Sequence, residues 1–298
     1  MAYYLNPTSD IIFKKLFGQD ENVDLTISFL NEVLGNKPGK LITQVTFLDT
    51  ANMGNGFDQK TTYVDLLCVD EKKNSYIVEM QVAKEKSFFK RAQYYWSKGV
   101  ESQLKPGEFY EDLKPVYFIA ILDFTFFEYD NYLNRYVLKH ESFNSVHQDT
   151  LGNYTFIELS KFKRELSDIT NVVDTWVYFF KYARNQQVGE VEIPAQFTSL
   201  AKAYKKLSVL SLSPEEKRAY DKEIDIMRRE HDRLQTAIED GLEEGRKLGF
   251  QEGVQQGIEQ GKQEGHLEVA QKLLASGMSL QEVANFTGLT VEQLKKIQ

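Results

Sequence analysis

The chain reads as an α/β protein, a mixed sheet flanked by helices with a helical C-terminal extension. Three observations carry this reading. Two β-branched and aromatic runs, 63–69 and 76–82, are separated by a polar turn at 70–75 and form a hairpin. The near-continuous apolar run 116–124 suits a strand covered on both faces. After residue 163 apolar residues recur at helical spacing, in 171–184, 197–207 and 214–238.

In chain order, Ser9 and Asp10 open the first helix, because a short side-chain oxygen can accept from an otherwise orphan amide. Ile12, Phe13, Leu16 and Phe17 then line one face and Gly18 stops the helix. A second helix over 22–34 ends at Gly35, and 41–48 reads as the first strand. A segment bearing Gly and Asn, 52–60, leads into the hairpin. A helix over 87–104 crosses to the strand at 116–124, and 136–143 and 154–162 alternate as edge strands would. Pro214 falls in a first helical turn, where its missing amide costs nothing, with Ser213 as cap. The face at 223–233 alternates in charge sign and reads as solvated rather than DNA-binding.

From Gly241 a glycine returns every fourth residue, at 241, 245, 249, 253, 257, 261 and 265, among Gln, Glu and Lys. Each costs a helix up to about 1 kcal/mol. The segment is therefore either a flexible, partly helical linker or a helix whose glycine stripe packs closely against a second copy of itself. The surrounding charge excludes a membrane glycine motif. Three short helices close the chain, at 267–274, 277–284 and 288–294. Ser279 with Glu282 and Thr290 with Gln293 stand as two capping boxes. Lys295 and Lys296 are nearly the only cations there, so the tail is either a packing module or a DNA reader.

Composition sets limits. At 298 residues the chain can bury a sizeable core, and a net charge of −8 provides no general field for nucleic acid, so any DNA contact must be a local patch. Cys68 is the single cysteine, which excludes a disulfide framework and a cysteine-based zinc site and fits a reducing compartment. The histidines at 140, 147, 231 and 266 lack ligand spacing. The opening residues have no positive region or apolar run, and no stretch approaches the ~18 apolar residues of a membrane span, so a cytoplasmic location is expected.

The hairpin carries the chemistry. Asp65 interrupts an apolar strand, where an unpaired carboxylate costs several kcal/mol, so it needs a partner, solvent or a metal. Glu79 and Gln81 share one strand face, opposite Val78, Met80 and Val82. A divalent cation shared by Asp65 and Glu79 would satisfy both; a structural pair neutralised by Arg91 is the competing account. In the run 88–96 Arg91 and Tyr95 lie at i and i+4 on one helix face. Asp123 reads as a strand terminator.

Asp65, Glu79-x-Gln81, Arg91 and Tyr94-Tyr95, preceded by the run 9–18, resemble the PD-(D/E)XK nuclease family of transposases, also called recombination-promoting nucleases. The resemblance covers about 4–163. It implies a restriction-endonuclease-like core over 1–165, followed by a helical extension at 166–240, the glycine repeat at 241–266 and a helix-turn-helix-like tail at 267–298. It also implies that Asp65 and Glu79 hold Mg2+ or another divalent cation, with the backbone carbonyl of Met80 as a further ligand. Gln81 stands where the wider superfamily has lysine; it can hydrogen-bond an attacking water but has no charge to stabilise hydroxide. Asp10 is either a cap or an acid reaching toward the pair, and Lys14 matches a lysine of the family pattern. Arg91 would meet the scissile phosphate with its planar fork, and Tyr95 either bonds a phosphate oxygen or packs. The function these residues predict is a Mg2+-dependent DNA endonuclease of the recombination-promoting, transposase-like kind. The alternative is a catalytically weak nucleic-acid-binding or oligomeric assembly module, and an RNA-directed nuclease or toxin-like effector would share the same site.

Overall fold

The computed structural model describes residues 2–50, 64–143, 145 and 150–297; the connection at 52–60, Tyr63 and His147 lie outside them. The chain forms two compact units, Met1–Arg228 and Arg229–Gln298.

In the first unit, α1 (Asp10–Phe17) and α2 (Val23–Leu34) precede the strands β1 (Val45–Phe47), β2 (Leu66–Asp70) and β3 (Ser75–Gln81). Helix α3 (Phe88–Glu101) leads to β4 (Val116–Leu122), and β5 (Leu133–Val137) and β6 (Gly152–Glu158) complete a six-stranded sheet of order β1-β2-β3-β4-β6-β5. The first three strands pair antiparallel, β3, β4 and β6 run parallel, and β5 returns antiparallel at the edge. Helices α4 (Val172–Tyr182), α5 (Thr198–Val209) and the start of α6 (Pro214–Ala275) follow.

Alternation along the strands builds two cores. Leu66, Cys68, Val78, Met80, Ile119 and Ile121 face Phe13, Phe17, Phe29, Trp176, Phe180 and Leu200, so α1, α2, α4 and α5 share one layer against the sheet. On the other face Leu67, Ile77, Phe118, Ala120, Leu122 and Phe156 pack on Phe88 and Ala92 of α3. Both faces of β4 are covered, as its apolar run requires. The helices beyond residue 165 therefore supply much of the main core, with Trp176 edge-on to Phe29 at 5.6 Å between centroids.

The hairpin is pinned at its turn by Asp70, whose carboxylate accepts from Lys72 N at 2.8 Å, Asn74 N at 2.9 Å and Tyr76 Oη at 2.8 Å. This turn places Lys73 at φ 67° and fixes the register in which Leu66 opposes Val78.

Three expectations are corrected. The first strand covers only Val45–Phe47, because Asn31 grips the N–H and carbonyl of Ile42, and Glu71 accepts from Thr43 and Gln44 N–H, so these residues bond to side chains instead of a ladder. The last strand, β6, is interior, lying between β4 and β5. Its Phe156, Ile157 and Glu158 are buried, and only β5 forms the edge. The helix beginning at Pro214 does not end near 238 but continues through every repeat glycine and residues 267–274 to Ala275, so the glycine segment is helical.

The second unit comprises the remainder of α6, α7 (Leu280–Thr287) and α8 (Val291–Lys295). Both capping boxes form, Ser279 with Glu282 and Thr290 with Gln293. Ala270, Val283 and Leu294 make a small core, and His266 Nδ1 hydrogen-bonds with Thr287 O at 2.6 Å.

Candidate active site

Carboxylates gather at the C-terminal end of β3. Continuing the β2-β3 register one residue past Leu66 and Val78 sets Asp65 opposite Glu79. Asp65 Oδ2 accepts from Met80 N–H at 2.8 Å, and its Oδ1 lies 3.4 Å from Lys14 Nζ. Both partners are fixed by secondary structure, Met80 by β3 and Lys14 by α1.

Glu79 is 6 % exposed. Its Oε1 is buried without a hydrogen-bond partner among the described residues. Burial pushes its pKa upward, the charge of Asp65 pushes it further and Asp10 adds a little, while Arg91 and the backbone N–H of Asp65 oppose them. Asp10, at the start of α1, is pushed up to about 6, first by desolvation and then by the carboxylates of Asp65 and Glu223, with Lys14 pulling it down. Three acids thus lie within electrostatic reach of one another, one with an orphan oxygen, and the nearby cations Lys14 and Arg91 offset their mutual repulsion only in part.

Both ends of the Gln81 side chain are occupied. Its Oε1 accepts from Arg91 Nη2, and its Nε2 donates to Ala83 O at 3.2 Å. Arg91 also donates from Nη1 to Glu85 Oε2 at 2.5 Å and lies over the rings of Phe88 and Tyr95, at 4.9 and 5.9 Å from their centroids. Its guanidinium fork is thus engaged within the protein, and Tyr95 packs beneath it. The more accessible cation beside the acids is Lys14, 45 % exposed. Asp123 follows β4: its N–H donates to Gln81 O at 3.0 Å and its carboxylate pairs with Arg184 at 3.2 Å.

The structure therefore brings Asp10, Lys14, Asp65, Glu79 and Met80 together, with Gln81, Arg91 and Tyr95 stacked on the α3 side. Sequence reading missed Glu85, the counter-charge of Arg91, and Glu223, which lies in the face taken as solvated. Glu223 Oε1 accepts from Asp10 N–H and its Oε2 from Ser9 Oγ, both at 2.7 Å. Ser9 makes no cap bond of its own. A signal was available: Glu216, Tyr220, Glu223 and Met227 recur at the spacing of one helix face.

Among the described residues no set of three or more His, Cys, Asp or Glu side chains is arranged as a metal cage. Mg2+ does not need one, since it keeps several waters and commonly takes one or two carboxylates. Asp65, Glu79 and a backbone carbonyl are hard oxygen donors, and the unpartnered Glu79 oxygen fits such a cation.

A mixed six-stranded sheet with helices on both faces is the restriction-endonuclease-like fold. The chain belongs to the family described as PD-(D/E)XK nuclease family transposase, whose model matches residues 7–237. A second model, Rpn/YhgA-like nuclease family, C-terminal HTH domain, matches residues 263–298. The chain matches no curated protein and no solved structure. Among the described residues no helix is long and apolar enough to cross a membrane.

Proposed function

We propose that the protein is a divalent-cation-dependent DNA endonuclease of the recombination-promoting kind, with its active centre at Asp65 and Glu79. The buried Glu79 oxygen that lacks a partner, beside two further carboxylates, carries this reading. Asp65, Glu79 and the Met80 carbonyl would hold Mg2+, which when bound supplies a Lewis acid at the phosphoryl group and acidifies a water. The protein's own residues do the rest. Met80 N–H and Lys14 orient Asp65. Lys14, exposed, meets a phosphate oxygen of the substrate. Asp10, with its raised pKa, exchanges a proton near neutrality at the edge of the site. Gln81 and Arg91 brace each other and hold β3 against α3.

Nicking of supercoiled plasmid by the purified protein tests this. Cleavage should require Mg2+, stop with EDTA, and fall in Asp65→Ala and Glu79→Ala by more than the roughly 100-fold that losing an outer-shell partner costs. Equal behaviour of wild type and both variants would sink the nuclease reading.

The second reading, a catalytically weak binding or assembly module, draws on two observations. Gln81 replaces the motif lysine and its amide is occupied. The glycines from Gly241 to Gly265 face open space beside exposed Phe250, Val254 and Ile258, a surface suited to a homo-oligomer. Full function after Asp65→Ala, with loss on removing 241–298, would favour it.

A further inference from the structure

Four residues on one face of the first turns of α6 seize the segment that leads into and forms α1. Tyr220 Oη accepts from Asn6 N–H at 2.9 Å, and Met227 Sδ from Asn6 Nδ2 at 3.6 Å. Glu216 pairs with Lys15 at 2.9 Å. Glu223 takes both the first amide of α1 and the hydroxyl of Ser9, one with each carboxylate oxygen. A strap holding down an N-terminal segment needs only the first contacts. Glu223 does something more specific, because it replaces the cap that Ser9 fails to make and so fixes where α1 begins and how it is rotated. Rotation matters for this helix. Asp10 and Lys14, four residues apart, lie on the same side, and Lys14 reaches Asp65 at 3.4 Å. A carboxylate at a helix N-terminus is also favoured by the helix dipole, which opposes its repulsion with Asp10.

We propose that Glu223 is a positioning residue of the nuclease site: by capping α1 it holds Asp10 and Lys14 beside Asp65 and Glu79, so the site is assembled only while the first turns of α6 are docked. The inference rests on the nuclease reading for its link to catalysis, and on geometry alone for its link to α1. The family model extends to residue 237, beyond this contact.

The test uses full-length Glu223→Ala and Glu223→Gln. Glutamine can accept from Asp10 N–H and donate to Ser9 Oγ, so it should keep the cap; alanine cannot. In plasmid nicking at a temperature where both variants are folded by circular dichroism, Glu223→Ala should lose about 10- to 100-fold in kcat, the range for outer-shell partners. Its KM for DNA should rise only modestly, through the one phosphate contact at Lys14, so that the loss falls mainly on kcat. Glu223→Gln should regain most of the lost rate. Amide hydrogen exchange over Asp10–Phe13 is measured in parallel and should speed up in Glu223→Ala but not in Glu223→Gln. Unchanged exchange over α1, or unchanged kcat in Glu223→Ala, overturns the proposal, as does an equal loss in both variants. If the wild type shows no metal-dependent cleavage, the nuclease reading fails by itself, and the exchange comparison still decides whether Glu223 sets α1.

Discussion

At the scale of single residues, the candidate site is a collection of acids held close together. Asp10 has a folded pKa of about 6 against an ordinary value near 3.8, and Glu79 is also raised. An acid whose folded pKa lies above its unfolded one binds more protons folded than unfolded between the two values, so stability falls as pH rises through that window. Metal-stripped protein should therefore melt at a lower temperature at pH 8 than at pH 5. Mg2+ should restore more at pH 8 than at pH 5, and Asp10→Asn should flatten the profile; a thermal melt series with and without EDTA checks all three. Gln81 yields a second prediction. Lysine there would bring an ammonium against the Arg91 guanidinium that now bonds the Gln81 oxygen. Gln81→Lys should cost about 1–2 kcal/mol, within the usual range for disrupting a partly buried contact, and Arg91→Gln should recover part of it in a double-mutant cycle by urea unfolding. The acids were legible in the sequence because a carboxylate in an apolar strand violates its pattern. The brace between Gln81 and Arg91 was not, because it depends on how α3 sits against β3, which no local pattern encodes.

At the scale of elements, strands with long apolar runs and helices with clear apolar faces could be read directly, whereas boundaries set by distant side chains could not. Asn31, thirteen residues before the Gln44 whose N–H bonds to Glu71, belongs to α2, and no periodicity announces that together they shorten β1. The long helix shows the same limit from the other direction. Seven glycines argue locally against helix, yet α6 runs through all of them, with only scattered pairs such as Lys247 with Glu243 at 2.6 Å to support it. A methyl group added at Gly249, Gly253 or Gly257 would meet nothing within 4 Å. Alanine at these three positions should therefore stabilise an isolated helix by up to about 1 kcal/mol each. Circular dichroism and sedimentation distinguish two outcomes. A gain in helicity and thermal stability at unchanged mass marks the stripe as free surface. A fall in mass, with no gain in stability, marks it as a close interface between copies, where the added methyl groups push two backbones apart.

At the scale of the whole molecule, the net charge of −8 means that any DNA contact must come from local cations. The second unit carries the family's C-terminal HTH domain over 263–298, and its small core holds Val283 and Leu294 while Lys295 and Lys296 remain exposed. Lys272 already pairs with Glu268 at 2.6 Å. If the HTH domain contacts DNA, the two terminal lysines are its phosphate contacts, and each phosphate neutralised adds about 0.9 to the slope of log affinity against log salt. The full-length Lys295→Ala/Lys296→Ala variant should then bind duplex DNA more weakly and lower that slope by about 2. Both capping boxes and the small core are left in place, so its melting temperature should not move. An unchanged slope would make the tail a packing module and transfer DNA recognition to the first unit. There the exposed Lys14 stands beside the acids, and Lys14→Ala should then reduce both the slope, by about 1, and the rate of cleavage.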